Sequence, residues 1–233
     1  MIKEWLRRIR DYPALAQSNE AYAKLLEKEK EKTHNLLEEN TELVKQIVEL
    51  VGKQELEEYW NNKRQKKLIT WHARDGVKMD VRCFFQTDET LPKFIGIADE
   101  VVADTLAWAV LIVHYRAEKG EFWQYAYETM LTKTGDCEDG AILMANILMN
   151  SGVPYWRIRL NKGKVKLPDG KNGYHCWLTY LAEKDNIWRM IDWCYWPEES
   201  RDLKLNWKDA EKYFEPDASW NSKYSFSGLT KVS

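Results

Sequence analysis

The stretch Thr134-Gly135-Asp136-Cys137-Glu138-Asp139-Gly140, running on through Ala141-Ile142-Leu143-Met144-Ala145-Asn146-Ile147-Leu148-Met149-Asn150 to Ser151-Gly152-Val153-Pro154, decides the fold of this chain. Its apolar spacing predicts a helix over 137–150, with Ile142, Ala145, Leu148 and Met149 as the buried stripe. The Gly and following Pro at 152 and 154 are the expected stop. Glu138 and Asp139 in the first turn suit the positive end of the helix dipole. Cys137 opens the helix, where backbone N–H groups and that dipole best stabilise a thiolate.

Working outward, three strands are predicted downstream, over 155–160, 174–181 and 187–193. The last two are joined by the short turn Glu183-Lys184-Asp185-Asn186, so they are expected to be adjacent and antiparallel. That brings His175 of Tyr174-His175-Cys176-Trp177 near Asp192 of Met190-Ile191-Asp192-Trp193. Cys, His and Asp are the parts of a nucleophile–base–orienter triad: the imidazole accepts the thiol proton, and the carboxylate holds the useful tautomer. Upstream, a strand is predicted over 80–86 and helices over 98–117 and 121–132. Near the C-terminus, 207–214 reads as a short helix.

Trp123-Gln124-Tyr125-Ala126-Tyr127-Glu128-Thr129, the Gly-Asp-Cys-Glu-Asp run at 135–139, the His-x-Trp of 175–177 and Ile191-Asp192 together resemble the transglutaminase-like superfamily. The bacterial transglutaminase-like cysteine proteinases and their phage-encoded relatives are the most similar branch, over roughly Leu91 to Pro197. The resemblance implies an α+β, papain-like core, a catalytic helix packed on an antiparallel sheet. It also implies Cys137 as nucleophile, His175 as base and Asp192 as orienter. By the same analogy, Gln124 or the indole of Trp123 is a candidate oxyanion donor beside the Cys137 backbone N–H. Tyr174 stands where the family commonly has Gly.

Acids beside a nucleophile raise a thiol's pKa, which opposes activation. Either Asp136 and Glu138 serve only the helix terminus, or they hold calcium, which would remove their repulsion of the thiolate. No cofactor is required by the triad itself. Zinc is disfavoured: no Cys-x-x-Cys occurs, and His175 and Cys176, consecutive on a strand, face opposite sides.

The N-terminal third reads differently. Residues 14–67 are rich in Glu, Lys, Leu and Gln, and carry a heptad frame whose best part is Leu36-Asn40-Leu43-Ile47-Leu50. Leu26 extends its a positions, while the frame is poor at Glu29 and Thr33, beside the run Glu27-Lys28-Glu29-Lys30-Glu31-Lys32, which reads as a solvated face. Such a helix, roughly 80 Å long at 1.5 Å per residue, outruns a small domain and is read as an oligomerising coiled coil. The expected organisation is therefore 1–67 helical and 68–233 catalytic, as a homo-oligomer acting on a protein or peptide.

Composition narrows the classes. Net charge −2 and a pI near 6.2 argue against nucleic acid, and no apolar run reaches the length of a membrane span. Four cysteines without regular spacing fit reduced thiols, hence a cytoplasmic setting, either a host cytoplasm or a virion if phage-encoded. Ten of the 12 Trp follow residue 67, so they read as core and cleft walls of the catalytic part rather than as a sugar platform. The leading expectation is thiol-dependent acyl transfer on an amide, hydrolytic as in a cysteine protease or deamidase. The competing one is a coiled-coil structural or adaptor protein, conceivably virion-associated, whose transglutaminase-like domain is inactive and only binds.

Overall fold

The computed structural model describes residues 2–65, 68–120, 122–166, 170–194 and 214–227. The chain divides into two compact units, Met1–Leu56 and Glu57–Ser233. The first is the greater part of α1 (Ile2–Asn61). Leu36, Leu43, Ile47 and Leu50 are exposed along it, and its charges pair one turn apart, as in Lys53–Glu49 at 2.7 Å. A helix is therefore present where one is expected; its pairing into a coiled coil is not something one chain displays.

The second unit is α+β. Six strands form its main sheet: β1 (Arg64–Gln65), β7 (Ile158–Lys166), β8 (Asn172–Leu181), β9 (Trp188–Ile191), β10 (Phe214–Trp220) and β11 (Ser225–Ser227). Their order is β1-β11-β10-β7-β8-β9, every neighbouring pair antiparallel. A smaller sheet joins β2 (Thr70–Ala73), β3 (Lys78–Asp80) and β5 (Phe122–Trp123). The pair β4 (His114–Tyr115) and β6 (Thr134–Gly135) is parallel. Helices α2 (Ala98–Ile112), α3 (Ala126–Thr132) and α4 (Cys137–Asn150) complete the unit.

The helix α4 is buried on every side from Glu138 to Leu148, more than the single stripe its spacing predicts. It lies between α2, α3 and the main sheet. Its C-terminus stops as expected: Gly152 takes φ +93°, and Val153 N–H donates to the Leu148 carbonyl at 3.0 Å. Halfway along, buried Asn146 donates to the Phe84 carbonyl at 2.9 Å, tying α4 to the segment before α2. On the opposite face of the sheet, Arg159 stacks on Phe226 (3.4 Å) and Trp188 (4.8 Å), with Trp60 at the end of α1 beyond.

Several expectations change. Residues 81–84 form a 3-10 turn rather than a strand, because the Asp80 carboxylate accepts the Arg82 backbone N–H at 3.0 Å and offers the chain a local alternative to the ladder. The helix predicted over 98–117 ends at Ile112, since His114 and Tyr115 pair with Thr134 and Gly135. The one predicted over 121–132 starts only at Ala126, after Phe122 and Trp123 have paired with β2. Residues 155–157 form a 3-10 turn, and the strand predicted there runs instead to Lys166. The helix proposed near 207–214 lies outside the described residues, save Phe214, which opens β10. β10 was unforeseen; it contains Pro216 at a bulge where Gly163 lets the backbones touch, a Cβ there coming within 2.1 Å of the Glu215 carbonyl.

Candidate active site

Cys137, His175 and Cys176 line one cleft of about 220 Å³, with Asp136, Glu138, Lys162, Tyr115 and Tyr174 around them. Local sequence places the thiol: α4 begins at Cys137, where Asp136 N–H donates to the Asp139 carboxylate at 3.2 Å. Strand register places the other two members. Leu178 opposes Ile191 and Thr179 opposes Met190, so one step further Trp177 faces Asp192, on the side of the sheet that His175 shares.

The outcome is a short, buried pair: His175 Nε2 lies 2.6 Å from Asp192 Oδ2, with 8% and 0% of their side chains exposed. The second carboxylate oxygen, Oδ1, accepts the Cys194 backbone N–H at 3.1 Å, so the carboxylate is held at both ends. Burial alone would depress the His175 pKa, but the Asp192 charge and hydrogen bond prevail and carry it up to about 10. With Nε2 taken by Asp192, Nδ1 is the ring nitrogen not engaged by that carboxylate, and the ring lines the same cleft as the Cys137 thiol. Trp177 stacks beside the imidazole at 6.2 Å and 15°.

The thiol itself is pulled in opposite directions. The neighbouring Cys176 thiol and burial prevail and raise its pKa well above the ordinary value, with His175 opposing them. Cys137 Sγ also lies 3.0 Å from Glu138 Oε2. Burial, followed by the neighbouring thiol, raises Glu138 to about 9. Tyr115 and Tyr174 are the exposed aromatics lining the cleft.

Not every candidate reaches the cleft. Trp123 lines it, its ring stacked between Trp71 at 5.4 Å and Trp220 at 5.6 Å. Gln124 does not: its amide donates to Asp139 Oδ2 at 2.6 Å, and its backbone N–H to Asp139 Oδ1 at 2.8 Å. Asp139 is buried and accepts from both the backbone N–H and the side-chain amide of Gln124, so Gln124 serves the start of α4 instead of the cleft. Two residues went unrecognised. Gly140 accommodates the indole of Trp193, whose Nε1–H donates to the Cys137 carbonyl at 3.4 Å. Cys176 stands on the α4 side of β8 with Leu178 and Tyr180; strict alternation from His175 was the signal that could have placed it there.

No protein-family model and no curated protein matches the sequence. Solved structures do align with it. Legionella pneumophila LapG, EGTA-treated, matches over 57% of this chain and 68% of its own at 19% identity and a TM-score of 0.46. The calcium-bound form of LapG covers 58% and 74%, also at 19% identity, with a TM-score of 0.45. A Cytophaga hutchinsonii protein, titled a cysteine protease by inference, covers 54% and 61% at 15% identity and a TM-score of 0.31. No helix among the described residues is long and apolar enough to cross a membrane.

Proposed function

We propose that the second unit is a thiol hydrolase that cleaves protein or peptide amides. The observation that carries this reading is the buried His175–Asp192 pair with a cysteine at the first turn of α4, the imidazole and the thiol lining one cleft. In the proposed reaction Cys137 Sγ attacks the amide carbonyl carbon, and its proton passes through His175 to the leaving amine. An acyl-enzyme remains, which water hydrolyses with His175 as base. Asp192 keeps the ring oriented and stabilises the imidazolium. The Cys137 backbone N–H at the helix start is the oxyanion donor; Trp123 is a second candidate, and Gln124 is a positioning residue for α4. Hydrolysis is favoured over transamidation because the cleft is small and its mouth, bordered by Tyr115 and Tyr174, is open to water. With Cys137 replaced by Ala, labelling by a thiol-directed acyl probe is expected to vanish while circular dichroism is unchanged. Equal labelling of the two proteins would sink the proposal.

Calcium is an accessory to this reading. The donor atoms of Asp136, Cys137 and Glu138 lie within 4.8 Å of one another. The two carboxylates fit a hard cation, with the remaining ligands supplied by backbone or water. Bound there, calcium would neutralise the acids that oppose the thiolate. The expected result is a rise in melting temperature on adding calcium to chelator-treated protein, absent in Glu138→Gln; no shift in the wild type refutes the site.

A second reading concerns α1. Leu37 and Val44, one place beyond the d positions Leu36 and Leu43, are also exposed, and with Asn40 they line an open groove of about 610 Å³. The repeat of this face at seven residues matches another copy of itself, which supports homo-oligomerisation through α1. Leu43→Lys with Ile47→Lys should convert an oligomer to a monomer in light scattering; a wild-type monomer at micromolar concentration excludes the assembly. The adaptor alternative, an inactive domain carried on this helix, corresponds to a Cys137 that never labels.

A further inference from the structure

We infer that Cys176 is a resolving thiol for Cys137, so that hydroperoxides close a Cys137–Cys176 disulfide within the cleft. The two cysteines line the same cleft of about 220 Å³, and Cys137 packs against the core of which Cys176 is a member. The sheet explains why. Alternation along β8 turns Cys176, with Leu178 and Tyr180, toward α4, and the core against which it packs also receives Cys137. His175, its neighbour in sequence, lines the same cleft and stacks beside Trp177.

Their unequal access sets the order of events. Cys176 is 3% exposed, whereas Cys137 opens on the cleft and is the sulfur a small oxidant meets first. The Cys137 sulfur attacks one peroxide oxygen and the O–O bond breaks, giving a sulfenic acid and releasing water, or an alcohol from an organic hydroperoxide. The Cys176 sulfur then attacks the Cys137 sulfur; the S–O bond breaks, and the departing hydroxide takes the Cys176 proton as a second water. Two thiols are oxidised by two electrons, and one peroxide is reduced. A neighbouring thiol that captures a sulfenic acid protects it from irreversible oxidation to the sulfinic acid.

The remaining cysteines do not compete on these grounds. Cys83 is exposed outside the cleft, and Cys194 directs its sulfur toward Asp192 Oδ1 at 3.8 Å. The predicted loss of reactivity rests on the function proposed for Cys137; the disulfide itself does not.

The test treats the full chain with a small molar excess of hydrogen peroxide, enough to carry a thiol through the sulfenic to the sulfinic acid, alkylates free thiols and maps the non-reduced digest by mass spectrometry. The expected product is a crosslinked peptide pair containing Cys137 and Cys176, two hydrogens lighter than the sum. Thiol-probe labelling should be lost in step with it and restored by a dithiol reductant. In Cys176→Ala, Cys137 should proceed to sulfinic acid, with labelling not restored. Sulfinic acid at Cys137 of the wild type without the crosslink, or a Cys137–Cys194 pair instead, overturns the inference. Because the wild-type map needs no variant, a misfolded substitution does not obscure the result. A crosslink in a protein whose Cys137 never takes the acyl probe retains the resolving thiol and refutes the hydrolase.

Discussion

Asp192→Asn is expected to slow acylation of the acyl probe on the order of 10³–10⁴-fold while leaving the cleft intact. The carboxylate is the dominant support of the imidazolium, lying 2.6 Å from Nε2, with both side chains buried. An amide keeps the size of the side chain but neither the charge nor a fixed acceptor toward the ring, and burial then drives the imidazole to its neutral form. The variant should also lose about 1.5–3 kcal/mol of stability at neutral pH, the scale of a hydrogen bond to a charged group. The pH dependence has a definite sign. His175 rises from an ordinary 6.5 to about 10 on folding, so the pair's contribution is full below pH 6.5 and disappears as pH climbs through 10. Melting curves of the two proteins should thus converge between pH 7 and pH 10.5. A constant gap, or labelling within tenfold of wild type, means that Asp192 neither charges nor orients the ring.

Gly140→Ala should be strongly destabilising, against the usual gain of about 1 kcal/mol for this exchange inside a helix. A Cβ built on Gly140 would sit 2.1 Å from Cε2 and 2.2 Å from Nε1 of Trp193. Neither side can yield easily: α4 is buried along its length, and Trp193 is a buried ring that follows Asp192 directly. Overpacking of this kind costs about 3 kcal/mol, or roughly 6–12 °C in melting temperature for a unit of this size. Acylation should fall further than stability does, since displacing Trp193 moves the Asp192 carboxylate relative to His175. In a Trp193→Ala background the same Gly140→Ala exchange should be neutral or stabilising, which a double-mutant cycle measures directly. An equal loss in both backgrounds would show that the indole is not the obstruction.

The parts of the fold legible in the sequence are those that local chemistry specifies. The apolar run after Cys137, the Gly152-Val153-Pro154 stop and the short 183–186 connection each carry their signal within a few residues, and α4, β8 and β9 appear where that signal puts them. Failures fall where a distant partner outbid local propensity. His114 and Tyr115 leave a helical pattern to pair with residues 134 and 135, and Phe122 and Trp123 leave one to pair with β2. The Asp80 carboxylate shows the converse, a side chain that diverts the Val81-Arg82-Cys83-Phe84 run into a 3-10 turn.

The candidate site divides in the same way. By itself the sequence determined which residues carry reactive groups, and that Cys137 starts a helix while His175 stands on a strand, because a helix start and a period-two alternation are properties of adjacent residues. Only the tertiary structure decided what those groups meet. It set the register that brings Asp192 to Nε2, turned the Gln124 amide to Asp139, fitted Trp193 against Gly140 and put Cys176 in the cleft with Cys137. Each of those contacts joins residues far apart in the chain, and is chosen by packing against α4 and pairing within the sheet, which no window of sequence contains.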